Sequence, residues 1–340
     1  MLLKVKKQYY LIYIFMLSVL IFSSYEYIKL KFLALKVTHN YIIDILPKEN
    51  FKTILTKLHN DKIISKTDQY ILSILSKIFK YDRKIKAGEY LIDQNTSMVK
   101  LLEQLIQGKV VLHKFTIVEG LRFDQIINAL EQNPNINKTL DNLNCNNILK
   151  TIARDPTETE CEGLFLADTY LFPKDTKDIT ILQYAYDALQ NKLNHLWGLS
   201  NNNIKNLLQS KYRALILASI IEKEAKFTEE MSKISGVYHR RLSINMLLQA
   251  DPTVIYGLKV FDRPLSLKDL KQSSSYNTYV NKGLPPSPIA TPSIGALIAA
   301  LNPETGDSLY FVADGSGKHI FSASLDEHNK AVLSVRNSKK

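Results

Sequence analysis

The chain has 340 residues, 45% of them hydrophobic and 23% charged, with a formal net charge of +11. This is globular composition, which excludes a disordered or fibrous chain and leaves room for two domains. The basic residues are spread along the sequence rather than gathered in a block, so the charge does not mark a nucleic-acid footprint.

Lys4, Lys6 and Lys7 precede Gln8 to Tyr25, 18 consecutive uncharged residues. That is close to the roughly 20 residues of a membrane helix. Tyr9, Tyr10, Tyr25 and Tyr27 flank the run as interface anchors would. No small-x-small cleavage site follows, which favours an uncleaved signal anchor over a removed signal peptide. Lys29, Lys31 and Lys36 balance the amino-terminal lysines, so the positive-inside count does not set the orientation. A short tail before a large domain makes a cytoplasmic amino terminus and an exported domain the simpler topology. The alternative is a soluble protein with a buried amino-terminal helix.

Beyond this run, Asn40 to Leu46 reads as a strand ended by Pro47. Asn50 to Leu58 and Thr67 to Phe79 read as helices, and Lys86 to Asp93 as a Gly turn and a strand. Ser97 is a helix N-cap for MVKLLEQLIQ, which stops at Gly108. His113 to Gly120 reads as strand and turn, and FDQIINALEQ as a helix stopped at Asn133-Pro134. Asn133 to Asn147 is polar and reads as a loop. The region from Thr38 to Lys109 resembles, in pattern alone, a LysM-like carbohydrate-binding module; a structural subdomain is the alternative.

Cys145 and Cys161 are too few for a disulfide framework. They read as incidental thiols, with pairing in an oxidising compartment as the alternative. Neither lies in a CxxC or beside a His cluster, so the sequence suggests no metal and no cofactor.

Glu162 to Thr176 mixes apolar residues with three acids, and Ile179 to Leu196 reads as a helix. The stretch LILASIIEKEA, Leu215 to Ala225, is an apolar run that ends in Glu222, Lys223 and Glu224. Lacking Gly and Pro, it reads as a buried helix. On a wheel of about 100° per residue, Glu222 falls between Ala218 and Ser219, and Glu224 points the other way. A carboxyl group at the rim of an apolar element is disfavoured in its charged form, which suits a general acid near neutral pH. The alternative is an ordinary i,i+4 surface pair of Glu222 with Lys226.

Met231 to Leu247 reads as a further helix, with His239, Arg240 and Arg241 on a solvated face. Leu247 to Leu258 sets Gln249 and Asp251 beside Pro252 on a stiff turn. Ser275 to Ser293 carries Tyr276, Asn277 and Tyr279 ahead of four prolines, a combination that suits sugar binding or a self-packed loop. Leu309 to Val332 reads as strand, Gly turn, strand and helix. Its DGSG lies in a hairpin, without the helix amino terminus a phosphate loop needs.

The strings EGLFLADTYLF, LASIIEKEA, LLQADPTVIYGL, YNTYVNKGLPPSPIATP and YFVADGSGKHIFSASLDEHNKAV together resemble the endolytic murein transglycosylase (YceG-like) family. They stand in the family's order and cover most of Glu162 to Val332. The resemblance implies an α+β protein: an anchor over residues 1–28, a LysM-like subdomain over 29–110 and a catalytic domain over 111–340. It implies a single-pass protein of the bacterial inner membrane whose catalytic domain faces the periplasm. Its partners would be peptidoglycan glycan strands, the membrane and peptidoglycan synthases, with no nucleic acid.

By the same resemblance Glu222 is the catalytic acid, and Gln249, Asp251, Tyr256, Tyr276, Asn277 and Glu162 belong to the substrate groove. The implied reaction cuts the bond from N-acetylmuramic acid to N-acetylglucosamine, leaves 1,6-anhydro ends and so terminates glycan elongation. A water-using muramidase with Asp251 or Asp168 as second carboxylate is one alternative. A non-enzymatic wall-binding scaffold is the other. Ala167, Ala250, Arg240 and Ser287 depart from the family's usual residues, and Arg240 puts one side of the groove in doubt.

Overall fold

The computed structural model describes residues 2–34, 39–94, 96–139, 144–153, 160–259 and 261–338. Lys36, Thr38 and residues 140–143 of the expected polar loop lie outside them. The chain divides into two compact units, Met1–His113 and Lys114–Lys340.

The first unit begins with helix α1 (Leu2–Ala34). Among the described residues no helix is long and apolar enough to cross a membrane. The expected transmembrane span is therefore not established. Tyr10, Ile12, Phe15, Leu20 and Phe22 of α1 are nevertheless all exposed. Strand β1 (Tyr41–Ile45), helices α2 (Phe51–Asn60) and α3 (Lys66–Phe79), strand β2 (Gly88–Ile92) and helix α4 (Met98–Gln107) follow.

β1 and β2 pair antiparallel, with Tyr41 opposite Ile92 and Ile45 opposite Gly88. Alternation turns Ile43, Ile45, Tyr90 and Ile92 inward. The apolar stripes of α2 and α4 close over them through Ile54, Leu58, Leu101 and Leu105. Local chemistry sets the helix ends: Asn50 and Ser97 cap α2 and α4, and Gly108 stops α4 at φ 74°.

The second unit opens on β3 (Leu112–Thr116), α5 (Phe123–Gln132), β4 (Ile136–Asn137), α6 (Cys145–Ile152), β5 (Thr169–Pro173) and β6 (Thr176–Lys177). Then come α7 (Asp178–Leu199), α8 (Asn202–Leu208), α9 (Lys211–Glu224), α10 (Met231–Ser243) and α11 (Asp251–Leu258). The short α12 (Leu267–Leu270), α13 (Ile294–Leu301), β7 (Tyr310–Ala313), β8 (His319–Ser322) and α14 (Leu325–Ser338) complete the α+β fold. β3 pairs with β5, β4 with β6 and β7 with β8.

Helix α9 is the axis of this unit, with Ala214 to Ile221 all buried. It packs on α7, α10, α11 and, most closely, α13. The sequence IGALIAAL explains that closeness, because Gly295, Ala296, Ala299 and Ala300 let the two backbones approach. The basic triplet of α10 does not face solvent. His239 and Arg241 are buried: His239 Nε2 lies 2.8 Å from the Ala300 carbonyl, and Arg241 donates to Leu309 and Leu248 carbonyls, each at 2.7 Å. Three backbone carbonyls that close on α10 need these partners, so the two side chains hold neighbouring segments together.

Candidate active site

Ala218 and Ser219 form a small-residue patch on α9, and both are fully buried. Ser219 Oγ donates to the Ile216 carbonyl at 2.7 Å and accepts the Ile289 N–H at 3.0 Å. One turn further on, the half-buried Glu222 accepts the Ser293 N–H at 2.9 Å. Two side chains of one helix face thus fasten the Pro-rich segment to α9. Lys226, the expected surface partner of Glu222, instead lies 5.7 Å from the Phe227 ring centre. Ser293 is the N-cap of α13, so the Glu222 carboxylate sits where orphan N–H groups favour negative charge.

Glu224 points to the opposite side, as the wheel requires. It accepts the Tyr238 hydroxyl at 3.1 Å. Burial, then the Asp251 charge, push its carboxyl up to about 7 against the pull of Tyr238 and Arg241. Asp251 in turn accepts the Tyr279 hydroxyl at 2.6 Å.

Two pockets of about 410 and 290 Å³ adjoin, sharing Arg122, Tyr256 and Phe261. The smaller is bounded by Lys223 and Ile289, the neighbours of Glu222 and of its Pro-rich partner segment. Lys223 Nζ reaches the Gly120 carbonyl at 3.2 Å, which sets the turn before α5 against α9. In the larger pocket the rings of Tyr256 and Tyr276 lie 5.0 Å apart, and the Arg122 guanidinium lies 3.9 Å over the Phe261 ring. Aromatic faces beside polar groups form a surface suited to a sugar ring.

Glu162 closes the back of the larger pocket and is 6% exposed. It accepts the Phe123 N–H at 3.0 Å and the Tyr256 hydroxyl at 3.1 Å. Burial raises its carboxyl to about 7 even so. The residue after it, Gly163, has φ +73°, and a Cβ there would lie 2.5 Å from Pro288 Cβ. Glycine is what lets this turn press on the Pro-rich segment. Cys161 is bonded to Cys145, with a Cα–Cα distance of 5.5 Å, which corrects the expectation of incidental thiols.

Of the residues expected in the groove, Glu162, Tyr256 and Tyr276 come together. Asn277 does not: it is fully buried, donating to Leu270 and Gln272 carbonyls and accepting the Tyr279 N–H. Gln249 is exposed at φ 50°, its N–H bonded to the Thr278 carbonyl, and it lines neither pocket. Asp251 lies on the Glu224 side, and exposed Asp168 accepts its neighbour Thr169 N–H. Neither of these second-carboxylate candidates lines the pockets, and Glu222 itself adjoins the smaller one only through its neighbour Lys223.

Arg122, Phe123, Lys223 and Phe261 line the groove and were not singled out from sequence. The signal available was Arg122-Phe123 at the head of an amphipathic helix just after a Gly turn. Two of the departures are accounted for by their contacts. Arg240 binds the Ser308 and Glu304 carbonyls away from it, and Ser287 Oγ lies 2.7 Å from the Tyr276 hydroxyl it helps to hold.

Residues 43–334 match the model of the YceG-like family. An endolytic murein transglycosylase of Bacillus subtilis strain 168 is 30% identical over 284 residues, covering 77% of this chain and 79% of its own. One of Streptococcus pneumoniae R6 is 27% identical over 97% of this chain, which spans 65% of that relative's length. The crystal structure of a YceG-like protein from Listeria monocytogenes matches with a TM-score of 0.53 at 29% identity, over 86% of this chain and 99% of that one.

Proposed function

That the chain belongs to the YceG-like family is the premise from which we propose that Glu222 is its catalytic acid, in an endolytic murein lytic transglycosylase. The enzyme is a lyase acting on peptidoglycan glycan strands. Protonated Glu222 donates to the oxygen that links N-acetylmuramic acid to N-acetylglucosamine. The developing oxocarbenium charge is relieved by the sugar's own acetamido oxygen. The Glu222 carboxylate then takes the proton of the C6 hydroxyl, and the oxygen left behind closes the 1,6-anhydro ring. One group serves as acid and then base, so no second carboxylate and no water are consumed.

The observation that carries this reading is the placement of Glu222. Its Oε2 is held by the Ser293 N–H on the segment whose Ile289 lines the aromatic groove. Glu162, Tyr256, Tyr276 and Phe261 are the substrate contacts, each lining one or both pockets. The deciding experiment is digestion of purified sacculi by the parent and by Glu222→Gln, with products read by mass spectrometry. The parent should release anhydro-ended fragments, one water lighter than hydrolytic products, and the variant none. Anhydro release by the variant removes Glu222 from the role, and water-added ends from the parent replace the lyase by a muramidase.

The exposed apolar residues of α1 support its role as a single-pass inner-membrane anchor. The Cys145–Cys161 disulfide supports a catalytic unit on the oxidising, periplasmic side. Cleavage of a phosphatase fused after Lys340, by protease added outside spheroplasts, tests that topology. The paired strands and helices of the first unit suit a LysM-like wall-binding module, and peptidoglycan synthases are the partners a strand terminator would accompany.

A further inference from the structure

Glu162 has both carboxyl oxygens bonded from opposite walls, Oε1 by the Phe123 N–H at the head of α5 and Oε2 by the Tyr256 hydroxyl on α11. The Tyr256 hydroxyl holds a single proton, so it donates to Glu162 or to a ligand but not to both. Of the two groups bonded to Glu162, only Tyr256 can accept a hydrogen bond, since a backbone N–H is a donor alone. A proton placed on Glu162 therefore finds its acceptor at the Tyr256 oxygen. The bond between the two side chains then reverses, and the Tyr256 proton turns to the pocket that both residues line.

We propose that Glu162 is a positioning residue of the reaction: carrying a proton, it donates to Tyr256 and turns the tyrosine O–H toward the pocket, where that hydrogen binds a hydroxyl or acetamido oxygen of the sugar. Ionised, Glu162 draws the O–H back and the sugar loses its donor. This rests on the groove beside Glu222 being the glycan site. The charged and titratable groups that face Glu162 are Arg122 and Asp124 at the start of α5, Tyr256 on α11, and Tyr276 and Glu160 on the flanking segments. Lys259, at the end of α11, lines the same pocket. Arg122 is itself paired with Asp124 at 2.9 Å. Burial outweighs the two hydrogen bonds and brings the Glu162 titration to about 7, so the switch lies within the working range of pH.

The test is steady-state kinetics of the full chain on purified glycan strands between pH 6 and 8, for the parent, Glu162→Gln and Tyr256→Phe. A glutamine amide donates to Tyr256 at every pH, so it imitates the protonated acid. The ratio of kcat/KM for Glu162→Gln to that of the parent should rise about tenfold from pH 6 to pH 8, mostly through KM, as one proton lost over two units around pH 7 requires. Tyr256→Phe should be weaker than the parent at pH 6, approach it at pH 8 and so lack the parent's added limb. A pH-independent ratio for Glu162→Gln, as a merely structural carboxyl would give, overturns the proposal. So does a Tyr256→Phe profile parallel to the parent's, and that variant leaves Glu162 in place should Glu162→Gln fold poorly. Failure of the underlying glycan reading is a separate result, namely anhydro ends released by Glu222→Gln.

Discussion

The Glu222 carboxylate accepts the backbone N–H of Ser293 at 2.9 Å, so the proposed acid is held by a main-chain donor rather than by a cation. A single N–H fixes Oε2.

Replacements at Ser293 separate the cap from the donor. Its Oγ accepts the Ala296 N–H at 3.1 Å, so Ser293→Ala should cost about 1 kcal/mol of stability in a urea titration and leave activity within about twofold. Ser293→Pro fits the local φ of −70° but deletes the N–H. It should lower kcat about tenfold or more, the worth of one hydrogen bond to a charged group. Equal activity in the two variants would show that the Ser293 N–H does not serve Glu222.

How far the sequence foretold this site follows from the range of each interaction. The helix wheel put Glu222 with Ala218 and Ser219, and Glu224 opposite, because those relations span one turn. Capping residues such as Ser97 and Gly108 were legible for the same reason. The α11 segment was read as a turn because Pro252 masked a helix start, a position that proline suits. The pairing of β3 with β5 and the burial of Arg241 rest on partners elsewhere in the fold. No local pattern encodes such partners, and a Lys/Arg/His triplet on a helix looks alike whether it meets water or carbonyls.

The disulfide links α6 to the turn that carries Glu162, across a sequence separation of 16 residues. Closing a loop of that length should contribute about 3 kcal/mol by restricting the unfolded chain. Urea unfolding of the parent should shift by that amount on adding a phosphine reductant. A Cys145→Ala/Cys161→Ala double variant should match the reduced parent and ignore the reductant. A reductant-sensitive double variant would refute the assignment.

Glu224 gives stability a definite dependence on pH. Its folded-state pKa, about 7, is raised above the unfolded value, so the folded chain binds more protons in between. The stabilisation is complete below the unfolded pKa, declines as pH rises and is gone above about 7. Since Glu224 is half-buried, the loss should be on the order of 2 kcal/mol. Glu224→Gln keeps an acceptor for Tyr238 and should remove its share of the slope in thermal melts from pH 4.5 to 7.5, while Glu162 keeps its own. An unchanged slope would place the titration elsewhere.

Gly257 sits between the two tyrosines of the larger pocket. A Cβ there would fall 2.8 Å from Tyr276 Cβ and 2.6 Å from Ser274 Oγ. Both contacts are too short to persist, so Gly257→Ala should push the Tyr276 segment outward and open the 5.0 Å spacing of the rings. The extra methyl also suits a helix, which offsets part of the strain by about 1 kcal/mol. Stability should therefore change little while KM for glycan strands rises severalfold, with kcat less affected because Glu222 is anchored from α9 and Ser293. A fall in kcat at constant KM would mean that Tyr276 acts at the cleaved bond rather than in holding the sugar.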